Sequence, residues 1–162
     1  MRGAAACALL AAAPPALAKT ATATGNAITL KPLSIVKLQD LDFGTAAVGA
    51  AAGTIVIDPD TDGRSTTGGV VPAGGAPHAA QFYTYGGPLQ TVQVNRGPLP
   101  VLNRSGGGAT MNVTQLTLNG PVLRFLDTAG LLDLRVGGTL AVGANQLAGD
   151  YSGIFQIIVT YF

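Results

Sequence analysis

The chain has 162 residues, with nine Lys or Arg against eight acidic residues and a net charge of +1 at neutral pH. That balance leaves no basic excess to draw nucleic acid or an anionic membrane surface. With one cysteine, one histidine and no Glu, a zinc site or a paired-carboxylate mechanism is hard to assemble.

The first residues, Met1-Arg2-Gly3, precede an Ala/Leu run from Ala4 to Ala13 and then Pro14-Pro15-Ala16-Leu17-Ala18. A basic start, a short apolar stretch and a small-x-small site read as a secretory signal peptide over 1–18. The apolar run is too short to span a bilayer. Export through the inner membrane to the periplasm, then to the cell surface or medium, is the expected route. Removing 1–18 also removes Cys7, so the exported chain has no disulfide and depends on burial and backbone pairing.

Residues 19–27 read as a flexible extension, rich in Ala and Thr and interrupted by Gly25. One domain is expected over 28–162. Ile28 to Leu38 is strand-like but broken by Pro32, and Leu41-Asp42-Phe43-Gly44 alternates into a glycine turn. Ala46 to Ala52 reads as a small-residue loop before a short strand at Gly53 to Asp58. Asp58 to Ala80 is dense in Gly and Pro and reads as loop, with a brief strand at Val70-Val71. Gln81 to Tyr85 and Leu89 to Asn95 are expected to form a hairpin across Gly86-Gly87-Pro88. Gly97 to Gly108 reads as loop, Thr110 to Asn119 as an alternating strand, and Pro121 to Gly130 as irregular. Leu132 to Val136 and Thr139 to Val142 flank Gly137-Gly138 as a turn.

The last stretch, Gly149 to Phe162, is the richest in β-branched and aromatic residues. As one strand it puts Tyr151, Phe155, Ile157, Val159 and Tyr161 on an apolar face. Ile154, Ile158 and Phe162 then stand on the other, among Ser152, Gln156 and Thr160. A strand this apolar must be paired on its edges or it invites another chain. About seven or eight short strands between Gly/Pro turns give an all-β class, a sandwich or barrel.

Asp58, Asp60 and Asp62 open a D-x-D-x-D-G pattern of the calcium-loop type, which makes them the candidate metal ligands. The bidentate carboxylate that such a loop needs at its twelfth position is replaced by Gly69, and a turn built of Asp, Pro and Gly is the plainer reading. Apart from calcium there, no cofactor is expected. His78 sits alone in a loop, no catalytic cluster forms around it, and the chain reads as a non-enzyme.

Leu41-Asp42-Phe43-Gly44, Gly53-Thr54-Ile55-Val56-Ile57, Gly138-Thr139-Leu140 and Gly149-Asp150-Tyr151-Ser152-Gly153-Ile154-Phe155 occur in an order that resembles an uncharacterised secreted bacterial family. That family is itself similar to spore-coat protein U and the subunits of chaperone–usher pili. The resemblance implies an immunoglobulin-like, pilin-like antiparallel β-sandwich lacking its own last strand. It implies homo-oligomers built by strand addition, served by a periplasmic chaperone and an outer-membrane usher. On this likeness Ala21, Ala23, Ile28 and Leu30 are donor residues, and Phe155, Ile157, Val159 and Tyr161 form one groove wall. The competing expectation is a self-contained monomeric module that binds a glycan or surface ligand through loops such as Asp58 to Ala80.

Overall fold

The computed structural model describes residues 22–162, so the signal segment, Cys7 and Ala21 lie outside the described residues. Among the described residues eleven strands follow in order, beginning with β1 (Ser34–Gln39), β2 (Ala46–Ile57), β3 (Arg64–Pro72), β4 (Ala80–Tyr85), β5 (Thr91–Arg96) and β6 (Val101–Arg104). Then come β7 (Thr110–Leu118), β8 (Leu123–Phe125), β9 (Leu131–Val142), β10 (Tyr151–Ser152) and β11 (Ile157–Tyr161). All pairings are antiparallel, and they form two sheets in a sandwich-like arrangement. The larger sheet runs β1-β4-β9-β7-β6-β10, with β2 and β3 joined to it through β9. The smaller sheet runs β11-β5-β8.

The strand at the centre is β9. Its first half pairs with β4 from Leu131 to Val136, and its second half pairs with β2 from Gly138 to Val142. Its opposite edge pairs with β7 from Val136 to Ala141. The expected turn at Gly137-Gly138 is therefore wrong, because the two glycines lie inside a continuous strand. Close backbone approach explains them. A Cβ on Gly137 would collide with the Ile57 carbonyl oxygen, and one on Gly138 would meet the Gln115 carbonyl oxygen at 3.0 Å.

Other expectations are corrected in the same way. Ala46 to Ala52 continues β2, with the register to β3 slipping between Val48 and Gly53. The predicted loop after Asp58 contains the nine-residue β3, and shorter strands occur at 101–104 and 123–125. β4 and β5 do not form a hairpin with each other, since β4 belongs to the large sheet and β5 to the small one. Residues 28–33 form no strand, and regular pairing starts at Ser34.

The final stretch is two strands. β10 pairs with β6 in the large sheet, and β11 pairs with β5 in the small one. Gly153 to Gln156 carries the chain across. Gly153 lies against the Val101 backbone, where a Cβ would sit 2.7 Å from its carbonyl oxygen.

Between the sheets, Ile57, Leu134, Val136, Leu116, Val94 and Val113 are among the buried core residues. Phe155, Ile157 and Val159 pack against this core while remaining partly exposed. Replacing Gly137 by Ala should lower stability by about 1–3 kcal/mol, the usual cost of overpacking. The same change at Gly138 should cost less, and urea unfolding of the two variants checks the order.

Candidate functional site: an open strand edge beside an apolar cavity

The register of β11 fixes which of its backbone groups are spent. Phe162 N donates to Thr91 O at 3.0 Å and Gly97 N donates to Gln156 O at 2.8 Å, so the even-numbered residues bond to β5. Antiparallel alternation then turns the N–H and C=O groups of Ile157, Val159 and Tyr161 to the other edge. Among the described residues no strand pairs there.

β1 is a free edge of the large sheet and pairs only with β4 among the described residues. Ile35, Val36 and Leu38 are all exposed, so neither face of β1 is covered. Tyr161 ties the end of β11 to the start of β1. Its hydroxyl donates to Lys31 O at 2.7 Å and accepts from Gly87 N at 2.7 Å. Near the start of β11, the Phe155 ring meets Phe82 edge-on at 6.3 Å between centroids. Phe82 lies opposite Lys37 of β1. The β11 and β1 edges are thus tied at one end through Tyr161, and Phe82 and Phe155 meet near the other.

Beside Phe82 and Phe155 lies a cavity of ≈ 880 Å³, to which Phe43, Leu102, Met111 and Leu140 also contribute. Its rim is held by polar contacts. Arg64 Nη1 donates to Thr45 O and Gly74 O, each at 3.0 Å, and the Asp42 carboxylate accepts from Gly44 N at 2.7 Å. Asp42 also exchanges backbone hydrogen bonds with His78, which ties the strand-like Leu41–Phe43 segment to the loop before β4. On the far rim, Tyr151 Oη donates to Leu147 O at 2.6 Å.

Of the residues named from sequence as a groove wall, Phe155 lines the cavity, Ile157 and Val159 pack against the core, and the Tyr161 hydroxyl bonds to Lys31 O. Ala23, Ile28 and Leu30, named as donor residues, make no strand pairing. They lie in an extension without strand structure, exposed from Thr22 to Leu30. Sequence reading did not single out the free edge of β1. Its signal was the run Ile35-Val36-x-Leu38, which is apolar on both faces of a strand.

The three Asp residues of the calcium-like motif do not converge. Asp58 Oδ1 accepts from Asp60 N and Thr61 N, each at 2.9 Å, and from the Thr61 hydroxyl. Asp62 Oδ1 accepts from Ala79 N at 2.7 Å and from Arg135 Nη2. Among the described residues no three His, Cys, Asp or Glu side chains form a metal-holding group. The motif is a turn whose carboxylates bind backbone N–H groups and an arginine.

The model of one family, "Domain of unknown function (DUF4402)", matches residues 33–161. The chain belongs to DUF4402. The match begins one residue before β1 and ends with β11, so the exposed extension precedes the DUF4402 unit. The family description names no activity. No curated protein and no solved structure matches the chain. No helix among the described residues is long and apolar enough to cross a membrane.

Two predictions come from these contacts. Tyr161→Phe should cost about 0.5–1.5 kcal/mol and speed hydrogen exchange at the Gly87 amide, as read by NMR. The Asp62 carboxyl is held below its usual pKa, chiefly by the Ala79 N–H and further by Arg135. A depressed carboxylate pKa contributes stability above the unfolded value, about 3.9, and that contribution is lost as pH falls through the lower folded value. Melting temperatures of Asp62→Asn from about pH 2 to 7 should converge on those of the wild type at the acid end and fall below them above about pH 4.

Proposed function

We propose that the chain is a non-enzymatic, secreted structural subunit of a pilus or surface coat, assembled by adding a β-strand between β1 and β11. On this reading the sandwich is immunoglobulin-like and pilin-like, with the place of one strand left open. The observation that carries it is the unpaired β11 edge, with β1 unpaired as well and tied to it through Tyr161; the space between the two edges is read as the groove.

The missing strand comes from the extension of another copy. The subunit's own extension is poorly placed to enter. Tyr161 holds the Lys31 carbonyl at the closed end of the groove, so an inserting chain would have to double back through Lys31-Pro32-Leu33. Tight hairpins use residues in the left-handed region, and none of these three adopts it. The extension of a second copy has reach enough: Thr22 to Leu30 extends about 30 Å, against about 23 Å for Phe155 to Tyr161. Ala23, Ile28 and Leu30, with Ala21, supply its apolar side chains.

A head-to-tail contact of this kind does not close on itself and propagates into fibres. Before assembly the same edge would be exposed and prone to pairing. A periplasmic chaperone that lends a strand, and an outer-membrane usher that exchanges it, fit that need. Export by the signal segment would bring the subunit to the periplasm and then to the cell surface.

The purified protein should form a ladder of species that survives SDS at room temperature and collapses to monomer on boiling. Deleting Thr20 to Leu30 should abolish the ladder. A protein that is monomeric throughout, and unchanged by that deletion, would refute the proposal.

A further inference from the structure

The outer face of the small sheet faces away from the core and from the groove. Register places its side chains in rows across the three strands. Phe125 lies opposite Thr91, whose carbonyl bonds to the Phe162 amide, so Phe125, Thr91 and Phe162 make one row. Leu123, Gln93 and Thr160 make the next, and Asn95 with Ile158 a third. The inward partners in the same strands, Val92, Val94 and Arg124, are buried, which confirms the direction of the pleat.

Two properties set this face apart. Its rings are fully offered: Phe125 is 71% exposed and Phe162 81%. Its polar side chains are unspent, because no side-chain hydrogen bond among the described residues engages Thr91, Gln93, Asn95 or Thr160. None of the side chains in these rows carries a charge, and Arg124 points inward onto Pro121 O, Gly120 O and Asn119 Oδ1.

We infer that this face binds a neutral polysaccharide. The two rings stand two strand spacings apart, about 10 Å. They offer apolar platforms for the C–H faces of sugar rings, and the amides and hydroxyls between them meet the sugar hydroxyls. A face with no cationic side chain suits an uncharged glycan and gives no attraction to phosphate or sulfate groups. A second copy packed face to face would bring the same hydroxyls and amides, and is the rival occupant that light scattering separates. The site is independent of the strand-addition reading, because it lies on the outer face rather than the edge of β11. In an assembly it would repeat with every subunit and gain by multivalency.

Affinity electrophoresis of the purified protein in native gels tests this, with hydroxyethylcellulose, galactomannan or dextran sulfate cast into the gel. Retardation by at least one neutral polymer is expected, without retardation by dextran sulfate beyond that of a reference protein. Phe125→Ala and Phe162→Ala should each weaken apparent affinity about tenfold. Tyr83→Ala, which removes an exposed ring from the other sheet, should leave it unchanged. Circular dichroism of each variant establishes that it is folded. Absence of retardation in both neutral gels would overturn the inference, as would a loss that follows Tyr83 instead. A dimer in light scattering that Phe125→Ala dissociates, without glycan retardation, would assign the face to a second copy.

Discussion

Everything in the large sheet depends on how closely other strands approach β9. A single strand meets three neighbours because Gly137 and Gly138 remove the Cβ atoms that would hold Ile57 and Gln115 away. Pairing with β4 and then β2 along one edge lets the sheet change partners halfway and curl. That curl makes a concave inner face wider than the three-stranded sheet can cover. The cavity beside Phe82 and Phe155 is the uncovered remainder. The open site is thus a consequence of sheet geometry rather than of a loop displaced from its place.

With no cysteine beyond Cys7, the loops need another kind of tie, and arginine supplies it. Arg64 joins the 43–45 turn to Gly74, Arg104 binds Ala148 O, and Arg135 reaches Asp60 O and Asp62. Arg124 is the most buried of them, and desolvation lowers its pKa. Its three bonds go to two carbonyls and an amide oxygen, so the charge is met by dipoles rather than by a carboxylate. Guanidinium suits this work because its fork of donors can hold several acceptors at once. These cations are spent on the fold, which is why a near-neutral composition left no basic surface to read.

The sequence revealed the class of the fold better than its connections. Alternation at Gln81–Tyr85 and Thr110–Leu118 was enough to place β4 and β7. Periodicity says nothing about partners, so adjacent β4 and β5 read as a hairpin although they fall in different sheets. Glycine was the main source of error. Gly137-Gly138 and Gly68-Gly69 are close-approach residues inside strands, and only their surroundings distinguish them from turns. The apolar face of Phe155, Ile157, Val159 and Tyr161 was legible from alternation alone. That Tyr151 belongs to a separate strand was not, because Gly153 crosses between sheets without any break in apolar character.

β11 brings these threads together, because a strand has two faces and two edges and each of its sides has a different setting. One edge is spent on β5, and the inner face is spent on the core through Ile157 and Val159. The second edge offers backbone groups, which recognise any extended chain and therefore depend on apolar pockets for selectivity. The outer face offers side chains alone, Ile158, Thr160 and Phe162, and so depends on surface chemistry. Filling the edge does not bury the outer face, since an added strand lies in the plane of the sheet. The two unspent sides of this one short strand therefore present different atoms.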